Sequence, residues 1–190
     1  MNRILFAAVL LLMLSACAVA YFQPRTSEGV TVEDRFAIVR TDSLLVAVRP
    51  QTYHNSANNL AQSYFCIYIH VRNLSGSTKR ISPTGFSIMA GERQFDYIPL
   101  NLIAGSLQSQ LMSDPFEFNP DPADQQSLID REEKKRENLL ELINSYFSFG
   151  DLLPGGRKEG YLFYNRDLSR AKTLSIDAFG QALIFDYGRP

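Results

Sequence analysis

The run from Ser63 to Asn73 constrains the fold more than any other stretch. Phe65, Ile67, Ile69 and Val71 fall on one side of an extended chain, and Tyr64, Cys66, Tyr68, His70 and Arg72 fall on the other. This alternation, carried by β-branched and aromatic side chains, has the period of a strand and not of a helix. One face is wholly apolar and needs a core. The other is mixed, so it is expected to be partly covered.

The remaining apolar pieces are short and separated by turn chemistry. Phe36 to Arg40 and Leu44 to Arg49 read as strands joined by Thr41-Asp42-Ser43, and Pro50 ends the second. Gln51 to Gln62 is polar and rich in Asn and Ser, so an exposed loop is expected there. Asn73-Leu74-Ser75-Gly76 breaks the long run, and Lys79 to Ser82 and Gly85 to Ala90 follow as strands. Gly91-Glu92, between Phe86/Ile88 and Phe95/Tyr97, is a two-residue hairpin signal of the type II′ kind, and Pro99 closes this block. Arg157 to Tyr164, Thr173 to Ala178 and Gln181 to Tyr187 are three further strands, with Gly180 in the last turn. The total is about seven or eight strands at the spacing of a sandwich.

The stretch from about 101 to 150 departs from that pattern. Leu102, Ile103, Leu107 and Leu111 have helical spacing, and a Pro- and Asp-rich connector follows from Asp114-Pro115 to Asp121-Pro122. Asp121 as N-cap with Pro122 after it predicts a long helix from about Ala123 to Tyr146. Asp130, Arg131, Glu132, Glu133, Lys134, Lys135, Arg136 and Glu137 form two turns with nothing apolar. Asp130 with Lys134 and Glu132 with Arg136 are i,i+4 pairs, each contributing a few tenths of a kcal/mol. Leu139, Leu140, Leu142, Ile143, Tyr146 and Phe147 then make an apolar stripe. The C-terminal half should pack on the sandwich and the charged half should face water or a partner. The fold class is therefore mainly β, an antiparallel sandwich with a helical insertion that includes one long helix.

The N-terminus is a separate matter. Arg3 supplies a positive start, Ile4 to Leu14 carry no charge, and small residues follow. An uncleaved membrane helix is the competing reading, since the apolar run can be stretched from Ile4 to Phe22. Leu14-Ser15-Ala16-Cys17, however, resembles the lipobox of bacterial lipoproteins. The resemblance implies that residues 1–16 are removed and that Cys17 becomes an acylated N-terminus. Residues 17–29, without periodicity, then read as lipidated N-terminus and tether, and residues 30–190 as the sandwich domain with its insertion. Ala18 stands where lipoproteins retained at the inner membrane of enteric bacteria carry Asp, which implies an outer-membrane anchor facing the periplasm.

Charge and cysteine content narrow the partners. Lys and Arg number 19 against 20 Asp and Glu, and no face-sized basic block is present, so neither nucleic acid nor anionic lipid is expected as a partner. Beside Cys17 the only cysteine is Cys66, which rules out a disulfide within the mature chain and reads as a buried thiol.

Ile69-His70-Val71-Arg72-Asn73-Leu74-Ser75, with Arg80-Ile81-Ser82-Pro83-Thr84-Gly85-Phe86-Ser87-Ile88, resembles the middle strands of bacterial immunoglobulin-like secreted domains of unknown function. Leu152-Leu153-Pro154-Gly155-Gly156 before Gly160-Tyr161-Leu162-Phe163-Tyr164 fits the same pattern. The resemblance implies an immunoglobulin-like sandwich and brings no catalytic residue with it.

Reactive groups are few. His54 and His70 are the only histidines, and no nucleophile elbow, HExxH motif or phosphate loop is present. Asp114, Glu117, Asp121 and Asp124 lack the spacing of a calcium loop and read as a solvated connector. No catalytic, cofactor or metal site is therefore expected. Tyr161, Tyr164 and Tyr187 are candidates to line a sugar or peptide groove, or simply half-buried strand positions. The expected function is a non-enzymatic interaction or assembly module of the cell envelope. It would be held to the membrane by acyl chains and would dock an envelope protein through residues 130–137. The alternative is a binding protein for a small ligand, sugar or peptide, using the 51–62 loop and the tyrosines.

Overall fold

A computed structural model describes residues 21–54, 60–112 and 122–188. Twelve strands are found among them: β1 (Tyr21–Pro24), β2 (Val30–Glu33), β3 (Phe36–Arg40), β4 (Leu44–Pro50), β5 (Tyr64–Asn73), β6 (Lys79–Ile81), β7 (Phe86–Ala90), β8 (Arg93–Phe95), β9 (Gly150–Leu152), β10 (Arg157–Asn165), β11 (Thr173–Ala178) and β12 (Gln181–Gly188). Three helices accompany them: α1 (Leu60–Ser63), α2 (Leu100–Met112) and α3 (Pro122–Ser145). One sheet has the order β1-β12-β11-β7-β8, the second β10-β5-β4-β3-β2, and β6 pairs with β9 apart from both. All of these pairings are antiparallel.

The expected mainly β sandwich with helices is what forms. Phe65, Ile67, Ile69 and Val71 of β5 point into one cluster with Val46 and Val48 of β4, and with Ile88, Ile176 and Phe185 from the facing sheet. Period-2 alternation on both sheets makes this shared layer apolar, and its burial is the main stabilising term. The turns follow the same grammar. Thr41 Oγ1 accepts from the backbone N of Leu44 at 2.9 Å, which closes the β3–β4 turn. Gly91, at φ 62°, makes the expected two-residue hairpin between Ala90 and Arg93. A further two-residue hairpin, with Asp34 and Arg35 at φ 47° and 67°, joins β2 to β3.

Three expectations need correction. The stretch read as a tether up to Gly29 carries β1, which pairs with β12 and buries Phe22 against Phe65 and Tyr187. A four-residue strand is too short to display alternation in sequence. The count of seven or eight strands is also low, because β1, β2, β8 and β9 are all of three or four residues. Finally, the segment read as an exposed 51–62 loop holds Tyr53 and Leu60, each only 3% exposed, with residues 55–59 lying outside the described residues.

The mixed face of β5 is covered in part, as its composition suggested. Cys66 and Phe163 pack there with Tyr53, Leu60, Ile103 of α2 and Leu142 of α3. The end of α3 is fixed to β10 by backbone: Phe147 N donates to Tyr161 O at 2.9 Å. Gly160 permits this approach, since a Cβ there would lie 2.7 Å from Ser145 O and 2.8 Å from Phe147 N. Pro122 opens α3 as the sequence indicated, while Asp121 and the connector Asp114–Asp121 lie outside the described residues.

Asn73, at the end of β5, is fully buried. Its Nδ2 donates to Ser77 O at 2.8 Å and Leu152 O at 2.9 Å, and its Oδ1 accepts from the N and Oγ of Ser75. Replacing Asn73 with Ala is expected to lower stability by about 2 kcal/mol, because the buried Leu152 carbonyl loses this donor, whereas the Ser77 carbonyl keeps Ser75 Oγ. Gly76→Ala in the same loop, where a Cβ meets nothing within 4 Å, should stay within about 0.5 kcal/mol of the parent. Urea unfolding midpoints measure both.

Candidate functional site

The outer face of the β10-β5-β4-β3-β2 sheet divides in two. Over β10 and the start of β5 it is roofed by the helices. Over β2, β3 and β4 it is open. Phe36, Ile38, Leu45 and Ala47 supply an apolar floor, with Tyr68 and His70 along one side and Glu33 and Asp34 at the hairpin rim. Together they line a shallow cavity of about 220 Å³. The floor exists because β3 and β4 are apolar on both faces: Leu44, Val46 and Val48 serve the sandwich, while Leu45 and Ala47 face outward.

A chain of polar contacts separates the roofed half from the open half. The Tyr68 and Tyr161 rings meet edge to face at 5.0 Å. Gln51 Nε2 donates to Tyr161 Oη at 2.9 Å, and Arg49 donates to Gln51 Oε1. The Arg49 guanidinium lies 4.3 Å above the Phe36 ring and donates to Asp34 O at 3.3 Å. Burial, with Arg35 nearby, holds its pKa below the ordinary arginine value. On the other side Glu159 stands between Tyr68 and His70, with His70 Nδ1 at 3.5 Å from Glu159 Oε2. Burial and then the Glu159 carboxylate, which accepts from the phenol, push the Tyr68 pKa up. Tyr161 is pushed up by burial as well. The arrangement offers an apolar floor with a few fixed polar groups at its border, the pattern of a binding surface.

The residues singled out in the sequence fall in different places. Tyr161, Tyr164 and Tyr187 do not form a groove. Tyr164 is fully buried in the sandwich core, Tyr161 lies on the outer sheet face, and Tyr187 is half exposed beside Phe22. Strand parity is the reason, since residues three apart point to opposite faces. His54 is exposed, whereas His70 borders the cavity. Asp130, Arg131, Glu132, Glu133, Lys134, Lys135, Arg136 and Glu137 are all within α3, and Asp130, Glu133, Lys134, Arg136 and Glu137 are exposed. Leu140 and Ile143, expected to pack, are 52% and 44% exposed, and Leu142 alone of the three is buried. The sandwich reaches only one edge of that stripe. Cys17, Asp114, Glu117 and Asp121 lie outside the described residues. The open floor itself was missed, although the unbroken apolar run Leu44-Leu45-Val46-Ala47-Val48 signals a strand with two apolar faces.

Among the described residues no group of three or more His, Cys, Asp or Glu is placed to hold a metal ion, and no helix is long and apolar enough to cross a membrane. Residues 1–18 match the family model of the prokaryotic membrane lipoprotein lipid attachment site. The N-terminus is a bacterial lipoprotein signal. Cys17 is the only cysteine in the matched residues. The protein is thus a membrane-tethered lipoprotein of the cell envelope. No curated protein and no solved structure matches the chain.

Beneath the roof, burial pushes the Cys66 thiol up to about 12. Its folded pKa exceeds the ordinary value of 9.0. The stabilising contribution is therefore complete below pH 9 and is lost as pH rises through 12. At pH 8 an aromatic disulfide reagent should leave Cys66 unmodified in the folded protein and react with it as soon as urea unfolds the chain. Rapid reaction of the folded protein would contradict the packing described.

Proposed function

We propose that this lipoprotein is a non-enzymatic interaction module that helps to assemble or support a complex in the cell envelope. The observation that carries the reading is the exposed face of α3. This helix has 24 residues, or about 36 Å of length. Arg136, Leu140 and Ile143 follow one another at spacings of four and three residues, so they share a stripe, with Glu133 and Glu137 beside it. Charged groups beside two half-exposed aliphatic side chains, on a helix whose Leu142 is held by the sandwich, suit the groove or helix of a protein partner. The same reading assigns Asp130, Arg131, Glu132, Glu133, Lys134, Lys135, Arg136 and Glu137 to the docking surface. The anchor keeps that surface close to the membrane, and Ala18 after the cysteine favours the outer membrane, facing the periplasm. Kinship with immunoglobulin-like secreted domains is part of the proposal, supported by the strand-and-turn pattern alone.

A second reading is favoured by the open half of the outer sheet face. There the apolar floor of Phe36, Ile38, Leu45 and Ala47, bordered by Tyr68, His70 and Glu33, suits a small apolar ligand or an extended peptide.

Photocrosslinking in the native envelope separates the two. A photoreactive residue at Leu140 should give one dominant protein adduct, and the double charge reversal Glu133→Lys with Glu137→Lys should reduce it at least about tenfold, the size of a 1.4 kcal/mol loss. A probe at Ile38 should give none. Adducts at Ile38, with none at Leu140, would replace the first reading with the second.

A further inference from the structure

We infer that the end of the sandwich nearest Cys17 is itself a membrane-contacting surface, built to rest on anionic lipid headgroups. The inference rests on acylation at Cys17 and is independent of which partner α3 captures. Cys17 and Tyr21 are four residues apart, so the start of β1 can lie no more than about 14 Å from the acylated residue. Whatever surrounds Tyr21 is therefore held within that reach of the headgroups, and its chemistry can be read from the strand registers.

Tyr21 pairs with Gly188, which places the last residues of β12 at this end. Tyr187 N donates to Lys172 O at 2.8 Å, which brings in the start of β11 and the short 3-10 turn Arg166–Arg170 just before it. From the second sheet comes the β2–β3 hairpin, whose Arg35 guanidinium lies 5.0 Å over the Tyr21 ring. The same end of the sandwich thus carries Arg35, Arg166, Arg170 and Lys172, all exposed, with Arg35 over Tyr21 and Lys172 joined by its backbone to the half-exposed Tyr187. Tyrosines at headgroup level and basic side chains facing anionic lipid are the two devices that seat proteins on a bilayer surface.

The acidic groups nearby do not cancel this set. Asp167 is 3.8 Å from Arg170 and offsets one charge. Glu33 and Asp34 line the cavity on the outer sheet face, whereas Arg35 of the same hairpin turns to Tyr21. Asp186 is engaged by Arg25 at 2.6 Å. The chain as a whole carries a formal charge of −1, so a positive end beside the anchor is an asymmetry and not a reflection of overall composition. A basic patch beside the acyl chains adds electrostatic attraction to anionic lipid on top of the hydrophobic anchor.

The test uses the mature, acylated protein in phosphatidylcholine vesicles with or without phosphatidylglycerol. Flotation with the vesicles checks the anchor separately from the surface. Cys66 is buried, so a nitroxide can be placed at one introduced cysteine. Ser169→Cys sits between Arg166 and Arg170, and Asp42→Cys lies in the turn at the opposite end of β3. On phosphatidylglycerol vesicles the Ser169 label should lose at least about threefold of its collision rate with a water-soluble nickel chelate, while the Asp42 label keeps its rate. Arg35→Glu with Arg166→Glu and Lys172→Glu should restore access at Ser169, with an unchanged far-ultraviolet spectrum confirming the fold. Floating protein whose Ser169 label is as accessible as the Asp42 label would overturn the inference. So would equal shielding without phosphatidylglycerol, which would exclude anionic headgroups as the partner. Failure to float would instead refute the anchor on which the inference rests.

Discussion

Asn73 locks the loop after β5 to the turn before β10 through a saturated hydrogen-bond set. Its side chain has two donor hydrogens and one acceptor oxygen, and all are used: Nδ2 reaches Ser77 O and Leu152 O, and Oδ1 receives the N and Oγ of Ser75. The backbone adds two more links, from Asn73 N to Gly156 O and from Gly155 N to Asn73 O. A fully buried amide is costly when unpaired, so this residue rewards only one arrangement of its neighbours. The Asn73–Ser77 loop and the Leu152–Gly156 turn, about eighty residues apart in sequence, are thereby locked against each other. That joint carries the small β6–β9 ribbon and aims β10 along β5.

Once β10 lies along β5, the rest of the outer face follows. The register sets Phe163 opposite Cys66 and Tyr161 opposite Tyr68. Phe163 then seats the helices through Ile103 and Leu142, and Tyr161 draws in Gln51 and, through it, Arg49. The helical layer stops there, which leaves Phe36, Ile38 and Leu45 partly exposed around the buried Ala47. A single sheet thus has one face closed by a second sheet and the other face half closed by helices. The exposed helix face and the open sheet face both arise from that partial coverage.

What could be read in the sequence and what could not divides along physical lines. Phe65, Ile67, Ile69 and Val71 announced their face because alternation over a long strand has no competing period. Pro122 announced the start of α3 because its ring suits only the first turn of a helix. Phe22 gave no such sign: one buried aromatic in a four-residue strand is indistinguishable from a tether. Tyr53 was hidden in the same way by Gln51, Thr52 and His54. For the site, Tyr161 was found but wrongly grouped with Tyr164, although parity alone places the two on opposite faces. The exposure of Leu140 and Ile143 depends on how far the sandwich extends under α3, which no local pattern encodes.

Attachment of this domain to a membrane through Cys17 is tested most directly by the intact mass of the protein extracted from its own membranes. The predicted mass is that of a chain starting at Cys17 with acyl groups added, and a Cys17→Ser variant should retain residues 1–16. A native protein that keeps residues 1–16 and carries no acyl mass would contradict the account. The domain would then hang from an uncleaved N-terminal segment, and the membrane-facing end would have to be derived anew.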